Sequence, residues 1–351
     1  MARLTNPPLT IMPTTTRAHP RLVIILIIVI ALVGVVVVAF DWQEMSKVLV
    51  EADWRYIPAV LLFTFLSYAC YSYAYAFVCD LLGISMRRRD LAMVCFISGV
   101  VNHVISTAGL AGYSLRYLLM RLYNVSLKDV LTSSILHIYI TSLDMLTFLP
   151  LTFIYLLVHA TVPKGIAITF GLVTLLFAFV LILTTVLVVF PSRRLPIIKI
   201  LASLGQKILH HDYLPWLTQL DETLTCGTRA ISQRPMLLAW ILLLTLVDFI
   251  CSIAAMGFVF EALGPGVKPA ALVTGYVIGI MAGLASMVPG GFGVQEGSMA
   301  GIYALLGIHL EQAVLAAILF RILYYLVPYF LILPFSNRLV RRAKQQATIE
   351  V

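Results

Sequence analysis

Six apolar runs, each long enough to cross a bilayer as a helix, recur along this chain of 351 residues. A helix rises about 1.5 Å per residue, so roughly 20 apolar residues span the ~30 Å hydrocarbon core. Lipid offers no water to backbone N–H and C=O groups, and a helix satisfies them within one segment. We therefore predict an all-α polytopic membrane protein, which agrees with 61% hydrophobic and 11% charged residues. The runs lie at about 22–40, 58–82, 126–158, 166–190, 236–259 and 312–335.

The net charge of +8 comes from Lys and Arg residues that stand in short stretches between the apolar runs. Cytoplasmic loops of membrane proteins carry this excess of positive charge, so the charge indicates topology and not a nucleic-acid partner. The five cysteines form no CxxC pair and show no metal-ligand spacing. We predict neither a metal nor another cofactor.

Two further segments, about 91–125 and 269–308, are apolar but interrupted by glycine and polar residues. The return arm of the first contains Arg116 and is too short and too basic to cross the bilayer. If residues 91–112 crossed once, the basic residues of the 191–235 loop would lie outside the cytoplasm, against the positive-inside rule. We therefore predict that both segments are re-entrant hairpins.

The sequence VPGGFGVQEG breaks the second of these hairpins. Pro289 has no N–H donor and ends the preceding helix, while Gly290, Gly291 and Gly293 allow backbone angles that other residues avoid. The N–H groups that open the following helix suit an anion, and Glu296 in that first turn either shares their field or acts as a countercharge. Irregular backbone at membrane depth needs protein or a water-filled cavity around it, which makes the break a candidate site. The alternative is a surface turn between two spans.

The hairpin arrangement places all but five of the 24 Lys and Arg residues in the cytoplasm. Of these five, Lys47, Arg55, Lys164 and Lys268 lie outside and Arg321 lies in the membrane. Each half then contains two spans, a hairpin and a third span, in that order, and the second half starts from the opposite side of the membrane. This is an inverted-topology repeat of the kind found in many transporters. The predicted parts are a cytoplasmic tail (1–21), a first repeat (22–160), a second repeat (161–336) with a cytoplasmic amphipathic segment (191–235), and a basic cytoplasmic tail (337–351).

Charged residues inside the apolar runs mark candidate binding positions, because a charge at the bilayer centre costs roughly 2.5–3.5 kcal/mol on insertion scales and is usually paired. Asp144 and Asp248 each belong to a polar stripe on one helical face. For Asp144 the alternative is a purely structural salt bridge, and for His137 on the same stripe we favour an interhelical hydrogen bond. We predict that Arg116 and Arg321 approach acids or a shared cavity. The candidate acids are Glu296, Asp144 and Asp248.

The second apolar run places polar side chains on one helical face. Thr64, Tyr68, Tyr71 and Tyr75 follow the spacing i, i+4, i+7 and i+11. A face of this kind more often packs against another helix than lines a site, and we interpret this one as packing.

Two motifs together resemble the transmembrane domain of lysylphosphatidylglycerol synthases of the multiple-peptide-resistance-factor type and related stand-alone bacterial and archaeal membrane proteins. VPGGFGVQEG is similar to the family's PGG-x-G-x-x-E, and Asn102 followed by GYSLRY (112–117) is similar to its N…G-x-S-x-R-Y. The resemblance extends over roughly residues 20–340. It implies translocation of a phospholipid, or another lipid with a phosphate headgroup, across a bacterial or archaeal cytoplasmic membrane. The soluble aminoacyl-transfer domain has no counterpart up to Val351, so the resemblance does not specify lysyl-phosphatidylglycerol as the substrate.

Our first hypothesis is a lipid flippase or scramblase without catalytic residues, in which the hairpin tips meet and Arg116, Arg321 and tip N–H groups hold the phosphate. The second is an ion- or proton-coupled small-solute transporter, and the third a membrane-embedded transferase acting on a lipid-linked sugar. A cavity open sideways to lipid favours the first and a closed aqueous path the second. Membrane lipids are the expected partners, and the sequence leaves an oligomer open. The candidate substrate-binding residues are Asn102, Gly112, Ser114, Arg116, Asp144, Asp248, Pro289, Gly290, Gly291, Gly293, Glu296 and Arg321.

Overall fold

Helices and turns make up the described part of the chain, which contains no strand. The structure, a computed structural model, describes residues 42–105, 110–161, 164–189, 233–264 and 266–332, and the single positions 196, 203 and 225. The predicted first span (22–40) and both predicted tails (1–21 and 337–351) lie outside the described residues. Nearly all of the predicted amphipathic segment (191–235) and residues 106–109 of the first hairpin lie outside them too.

The helices begin and end close to the boundaries expected from the sequence. In chain order they are α1 (Trp42–Glu51), α2 (Ile57–Leu81), α3 (Arg88–Ile105), α4 (Leu110–Arg121), α5 (Leu127–His159), α6 (Lys164–Val189), α7 (Pro235–Leu263), α8 (Pro269–Ala285), α9 (Val294–Leu305) and α10 (Leu310–Phe320). Short 3-10 turns precede α2 (Trp54–Tyr56) and join α8 to α9 (Pro289–Gly291). A π-helical turn, Arg321–Leu326, continues α10 into a helical segment that runs to residue 332.

Five helical segments of the described chain are long and apolar enough to cross a membrane, and they coincide with five of the six predicted runs. The prediction of an all-α polytopic membrane protein is therefore confirmed. The inverted relation between the two halves stays a prediction. The five segments are Trp54–Leu81, Leu127–His159, Ala167–Val186, Pro235–Leu263 and Leu310–Ile332.

The start of α5 shows how local sequence sets a helix boundary. Ser126 precedes the helix in an extended conformation, and its Oγ accepts a hydrogen bond from the backbone N–H of Asp129 over 3.1 Å. An unpaired N–H group of the first turn is thereby satisfied, which is the role of an N-cap residue. Ser126 is therefore the N-cap of α5.

Helices α2 and α7 form the most extensive helix pair, and α5 packs against both. Buried apolar side chains of the three helices form one cluster: Ala74, Val78, Leu81, Leu136, Ile140 and Ile241. Helix α6 packs mainly against α5 and leaves Leu172, Leu175 and Phe179 exposed at 62–68%. Exposed apolar side chains on a membrane-crossing helix face lipid, so α6 lies at the edge of the bundle.

In both segments predicted to be hairpins two helices pack against each other, α3 with α4 and α8 with α9, whereas their re-entry into the membrane stays a prediction. Small residues allow the close approach. A Cβ on Gly112 of α4 would lie 2.5 Å from the Cβ of Asn102 in α3. In the second hairpin Gly275 and Gly279 of α8 face Tyr303 and Met299 of α9 at distances that leave no room for a Cβ. These three glycines therefore allow the two helices of each hairpin to pack closely.

Candidate functional site

A cavity of about 620 Å³ lies among α2, α3, α5, α6, α7 and α8, the Pro289–Gly291 turn and the π-helical turn. Its wall combines aromatic rings and apolar side chains with hydroxyl, amide, imidazole and carboxylate groups. None of the described residues that line it is Lys or Arg. Apart from tyrosines, the polar side chains of the wall are Ser67, Asn102, His103, Thr141, Ser142, Asp144, Thr184, Thr245, Asp248 and Gln295.

Two carboxylates, Asp144 of α5 and Asp248 of α7, line this cavity. The Oγ of Ser67 donates a hydrogen bond to Asp248 and lies 2.5 Å from the hydroxyl of Tyr324. A hydroxyl carries one proton, so Tyr324 donates to Ser67 while Ser67 donates to Asp248. Asp248 thus ends a chain of two hydroxyl groups. Within the described ranges, no group of three His, Cys, Asp or Glu side chains is placed to hold a metal ion.

His103, at the end of α3, joins the first hairpin to two other walls of the cavity. The hydroxyl of Tyr68 in α2 lies 3.1 Å from Nδ1 of His103, and the ring of Tyr325 lies 5.2 Å from the imidazole, centroid to centroid. The neighbouring Asn102 also lines the cavity, and its buried Oδ1 has no hydrogen-bond partner among the described residues. The end of α3 therefore brings an imidazole and an amide to the cavity.

The Pro289–Gly291 turn forms the tip of the second hairpin and uses glycine for its backbone conformation. Gly290, Gly291 and Gly293 have φ angles of 61°, 65° and 79°, a region that favours glycine. A Cβ on Gly290 would come within 3.1 Å of the carbonyl oxygens of His103 and Val104. The two hairpins therefore meet at this point, as predicted, whereas the depth of their tips in the membrane stays a prediction.

Two of the N–H groups expected to be free at this tip are used inside the hairpin. The N–H of Gly291 donates to the carbonyl oxygen of Val288 over 2.8 Å, and that of Gly293 donates to Oε2 of Glu296 over 2.8 Å. For Gly291 and Gly293 the prediction of N–H groups exposed to an anion is wrong. The reason is that a carboxylate three residues into a helix reaches back to the N-cap N–H. Glu296 therefore shares the field of these N–H groups, and its ion pair with Arg321 makes it a countercharge as well.

Arg321, the first residue of the π-helical turn, is buried behind this tip. Its Nε forms an ion pair with Oε1 of Glu296. Its Nη1 donates to the carbonyl oxygen of Gly290 over 3.0 Å, and its Nη2 donates to Oε1 of Gln295 over 3.3 Å. The predicted approach of Arg321 to an acid is confirmed. However, Arg321 is only 4% exposed and does not line the cavity.

Arg116 lies inside the first hairpin and is 1% exposed. Its Nε donates to Oγ of Ser98 over 3.1 Å, its Nη1 donates to Oγ of Ser134 over 3.2 Å, and its guanidinium lies 4.1 Å from the ring centroid of Tyr75. Among the described residues no carboxylate is within ion-pair distance of Arg116, and Arg116 does not line the cavity. The prediction of an acidic partner or a shared cavity is therefore wrong for Arg116 in this part of the chain. Hydroxyl oxygens and an aromatic face stabilise its charge instead.

The structure brings together some of the predicted site residues and separates others. Those that line the cavity are Asn102, Asp144, Asp248, Gly290 and Gly291. Those that shape or hold the second tip without lining the cavity are Pro289, Gly293, Glu296 and Arg321. Gly112 and Arg116 hold the first hairpin together, and Ser114 lies exposed on α4.

Several cavity residues were not selected from the sequence. Tyr68 and Tyr71 belong to the polar face of the second apolar run, which the sequence does show. The interpretation of that face as packing is incomplete, because both side chains line the cavity. His137 of the α5 stripe does make the favoured interhelical bond, since its Nε2 lies 3.2 Å from the carbonyl oxygen of Tyr71. Tyr324 and Tyr325 follow Arg321 in the π-helical turn, and their approach to the cavity depends on that turn.

One side of the cavity is apolar and exposed. Ile135, Ile138, Val180, Leu284 and Met287 line the cavity and are 36–71% exposed. They belong to α5, to α6 and to the end of the first arm of the second hairpin. In a membrane-crossing bundle, exposed apolar side chains of this kind suit contact with lipid.

Together the fold and the cavity define an all-α, multi-pass membrane protein with a polar and aromatic cavity that has an exposed apolar wall. The sequence profile of the family described as "Lysylphosphatidylglycerol synthase TM region" matches residues 22–332 of the 351-residue chain. The chain belongs to this family, which confirms the resemblance drawn from the two motifs. A comparison with curated proteins gave no match.

Proposed function

We propose that the protein is a lipid flippase or scramblase that moves a phospholipid between the leaflets of a bacterial or archaeal cytoplasmic membrane. The observation that carries the proposal is the cavity wall, which combines hydroxyl, amide and carboxylate groups with exposed apolar side chains of α5, α6 and α8. A phospholipid has the same two parts, a polar headgroup and acyl chains that remain in lipid. The family is a membrane domain associated with lipid flippase function, which supports the proposal.

The headgroup that fits this cavity carries a positively charged group beside its phosphate. Two carboxylates, Asp144 and Asp248, line the cavity without a Lys or Arg among the described lining residues. In surroundings of low dielectric constant these carboxylates attract a cation and repel an anion. Donors for the phosphate oxygens come from the amide of Asn102 and from the hydroxyl of Tyr325, whose oxygen accepts from Gln295 and whose O–H is left to donate. The site residues bind and orient the lipid, and the proposal assigns no catalytic step to them.

A solute transporter needs a polar path that is closed to lipid. The exposed apolar side chains at the rim, Ile138 and Leu284 among them, provide no such closure. For this reason we rank the hypothesis of a small-solute transporter below that of lipid translocation.

The proposal is tested by reconstituting the purified protein into liposomes that contain fluorescent phospholipids and following headgroup movement between leaflets. We expect faster movement of zwitterionic phosphatidylethanolamine than of anionic phosphatidylglycerol, and a loss of this preference in Asp144→Asn and Asp248→Asn. Glu51→Gln changes an exposed carboxylate outside the cavity and should behave as the wild type. Movement no faster than in protein-free liposomes would contradict the proposal, and uptake of small solutes instead would favour the transporter reading.

A further inference from the structure

The π-helical turn connects the second hairpin to the cavity wall. Arg321, its first residue, bonds to the hairpin tip, while Tyr324 and Tyr325 of the same turn line the cavity. Turns of this type are rare in helices and occur frequently at functional sites. The position of the tip and the position of these two rings therefore depend on one short segment.

Arg321 makes three bonds that only a planar, forked donor group can make together. Its partners are a carboxylate, a backbone carbonyl and a side-chain amide, contributed by Glu296, Gly290 and Gln295. Lysine has a single ammonium group and cannot reproduce this arrangement. The guanidinium also lies 4.5 Å from the ring centroid of Phe292 and 5.2 Å from that of Tyr325.

The bond to Gly290 acts at the contact between the two hairpins. Gly290 packs against the carbonyl oxygens of His103 and Val104 at the end of α3 and lines the cavity. Gly290 and Gly291, both with positive φ angles, belong to the short 3-10 turn between α8 and α9. Holding the carbonyl of Gly290 therefore fixes the tip against the first hairpin.

We propose that Arg321 is a positioning residue: it holds the second hairpin tip closed against α3, and release of Gly290 opens the contact between the hairpins as a lipid headgroup passes. During release the ion pair with Glu296 keeps Arg321 attached to α9, so the tip returns to one position. The step that concerns lipid passage rests on the proposed function, whereas the holding of the tip does not.

The test is hydrogen–deuterium exchange of the full-length protein in lipid nanodiscs, combined with the liposome assay. In Arg321→Lys, we expect exchange in the 286–297 segment and at the end of α3 to become roughly tenfold faster, the factor that corresponds to one lost charge-assisted hydrogen bond. Exchange in α2 and α7 should stay as in the wild type. Lipid translocation should become faster and less selective between headgroups, an effect that mere destabilisation does not produce.

Arg88→Lys is the matched control, because Arg88 forms an exposed ion pair with Asp80, 2.5 Å long, away from the tip. Glu296→Gln is the second variant if Arg321→Lys does not fold. It removes the charge, and its single amide oxygen can accept from Gly293 or from Arg321 but not from both, so the hold of Arg321 on the tip should weaken. Unchanged tip exchange in the folded variant, or exchange that rises equally in all helices, would overturn the proposal. If the wild type moves no lipid, the proposed function is rejected. The hydrogen–deuterium exchange of the 286–297 segment still decides whether Arg321 holds the tip.

Discussion

Arg321 donates a hydrogen bond of 3.0 Å to the carbonyl oxygen of Gly290, a residue 31 positions earlier in the sequence. The bond joins the π-helical turn after α10 to the Pro289–Gly291 turn. The backbone angles of the Pro289–Gly291 turn favour glycine, and Gly290 within it contacts α3. The hairpin tip is therefore determined from two sides, by the guanidinium behind it and by the carbonyl groups in front of it. Changes on either side should alter the cavity without touching Asp144 or Asp248.

Gly290→Ala should destabilise the protein by about 1–3 kcal/mol, the usual range for a residue held in an unfavourable backbone region. The backbone at position 290 has a φ of 61°, which a residue with a Cβ rarely adopts. The added Cβ would also lie 3.1 Å from two carbonyl oxygens of α3. Thermal unfolding of the purified variants measures the effect. Gly297→Ala is the control, because nothing lies within 4 Å of a Cβ on this residue. Equal unfolding temperatures of the two variants would contradict the described contact.

Gly112→Ala should prevent the first hairpin from closing. The added Cβ would lie 2.5 Å from the Cβ of Asn102 and 2.7 Å from the carbonyl oxygen of Ser98, so α3 and α4 must separate. We expect a larger fall in unfolding temperature than for Gly290→Ala and a slower translocation rate, because Asn102 moves with α3. Gly301→Ala has open space around its Cβ and should leave both quantities unchanged. A variant at Gly112 as stable as the wild type would refute this packing.

Arg116→Ala should lower stability as well as translocation. The variant loses the bonds to Ser98 and Ser134 and the contact with the ring of Tyr75, which together correspond to about 3 kcal/mol for hydrogen bonds from a buried charge. Arg116→Lys keeps the charge, and its stability and translocation rate should lie between those of the wild type and Arg116→Ala. Unfolding and translocation are measured on the same preparations. A fully stable Arg116→Ala that moves no lipid would restore the hypothesis that this arginine binds the phosphate.

The topology predicts that the N-terminus, the 191–235 segment and the C-terminus are cytoplasmic. A cysteine placed beside Arg194 should therefore resist an impermeant thiol reagent in intact cells and react after the cells are opened. A cysteine beside Lys268 is the matched control and should react in intact cells. Labelling near Arg194 in intact cells would reject both the topology and the inverted repeat.

The sequence contains enough information for the parts of the fold that depend on hydropathy and local chemistry. Apolar length predicts the spans, Pro289 and the glycines after it predict the break, and the rarity of charge in lipid predicts a partner for Arg321. These expectations agree with the structure because each depends on short stretches of chain.

Other features depend on packing between distant elements. Arg116 bonds to Ser98 and Ser134 instead of an acid, because α3, which precedes α4 in the chain, and α5, which follows it, both bring a hydroxyl group to its side chain. Tyr68 faces a cavity because helix α7 and the π-helical turn leave space beside it. No pattern in the sequence marks the π-helical turn itself, since its residues are as apolar as those of a regular helix.

The central claim, that the cavity holds a lipid headgroup, is tested most directly by an experimental structure of the purified protein in lipid nanodiscs. We predict density for a lipid whose headgroup lies beside Asp144 and Asp248 and whose acyl chains leave the cavity past Ile138 and Leu284. A cavity without lipid density, closed to the bilayer along that rim and connected instead to bulk water, would contradict the claim.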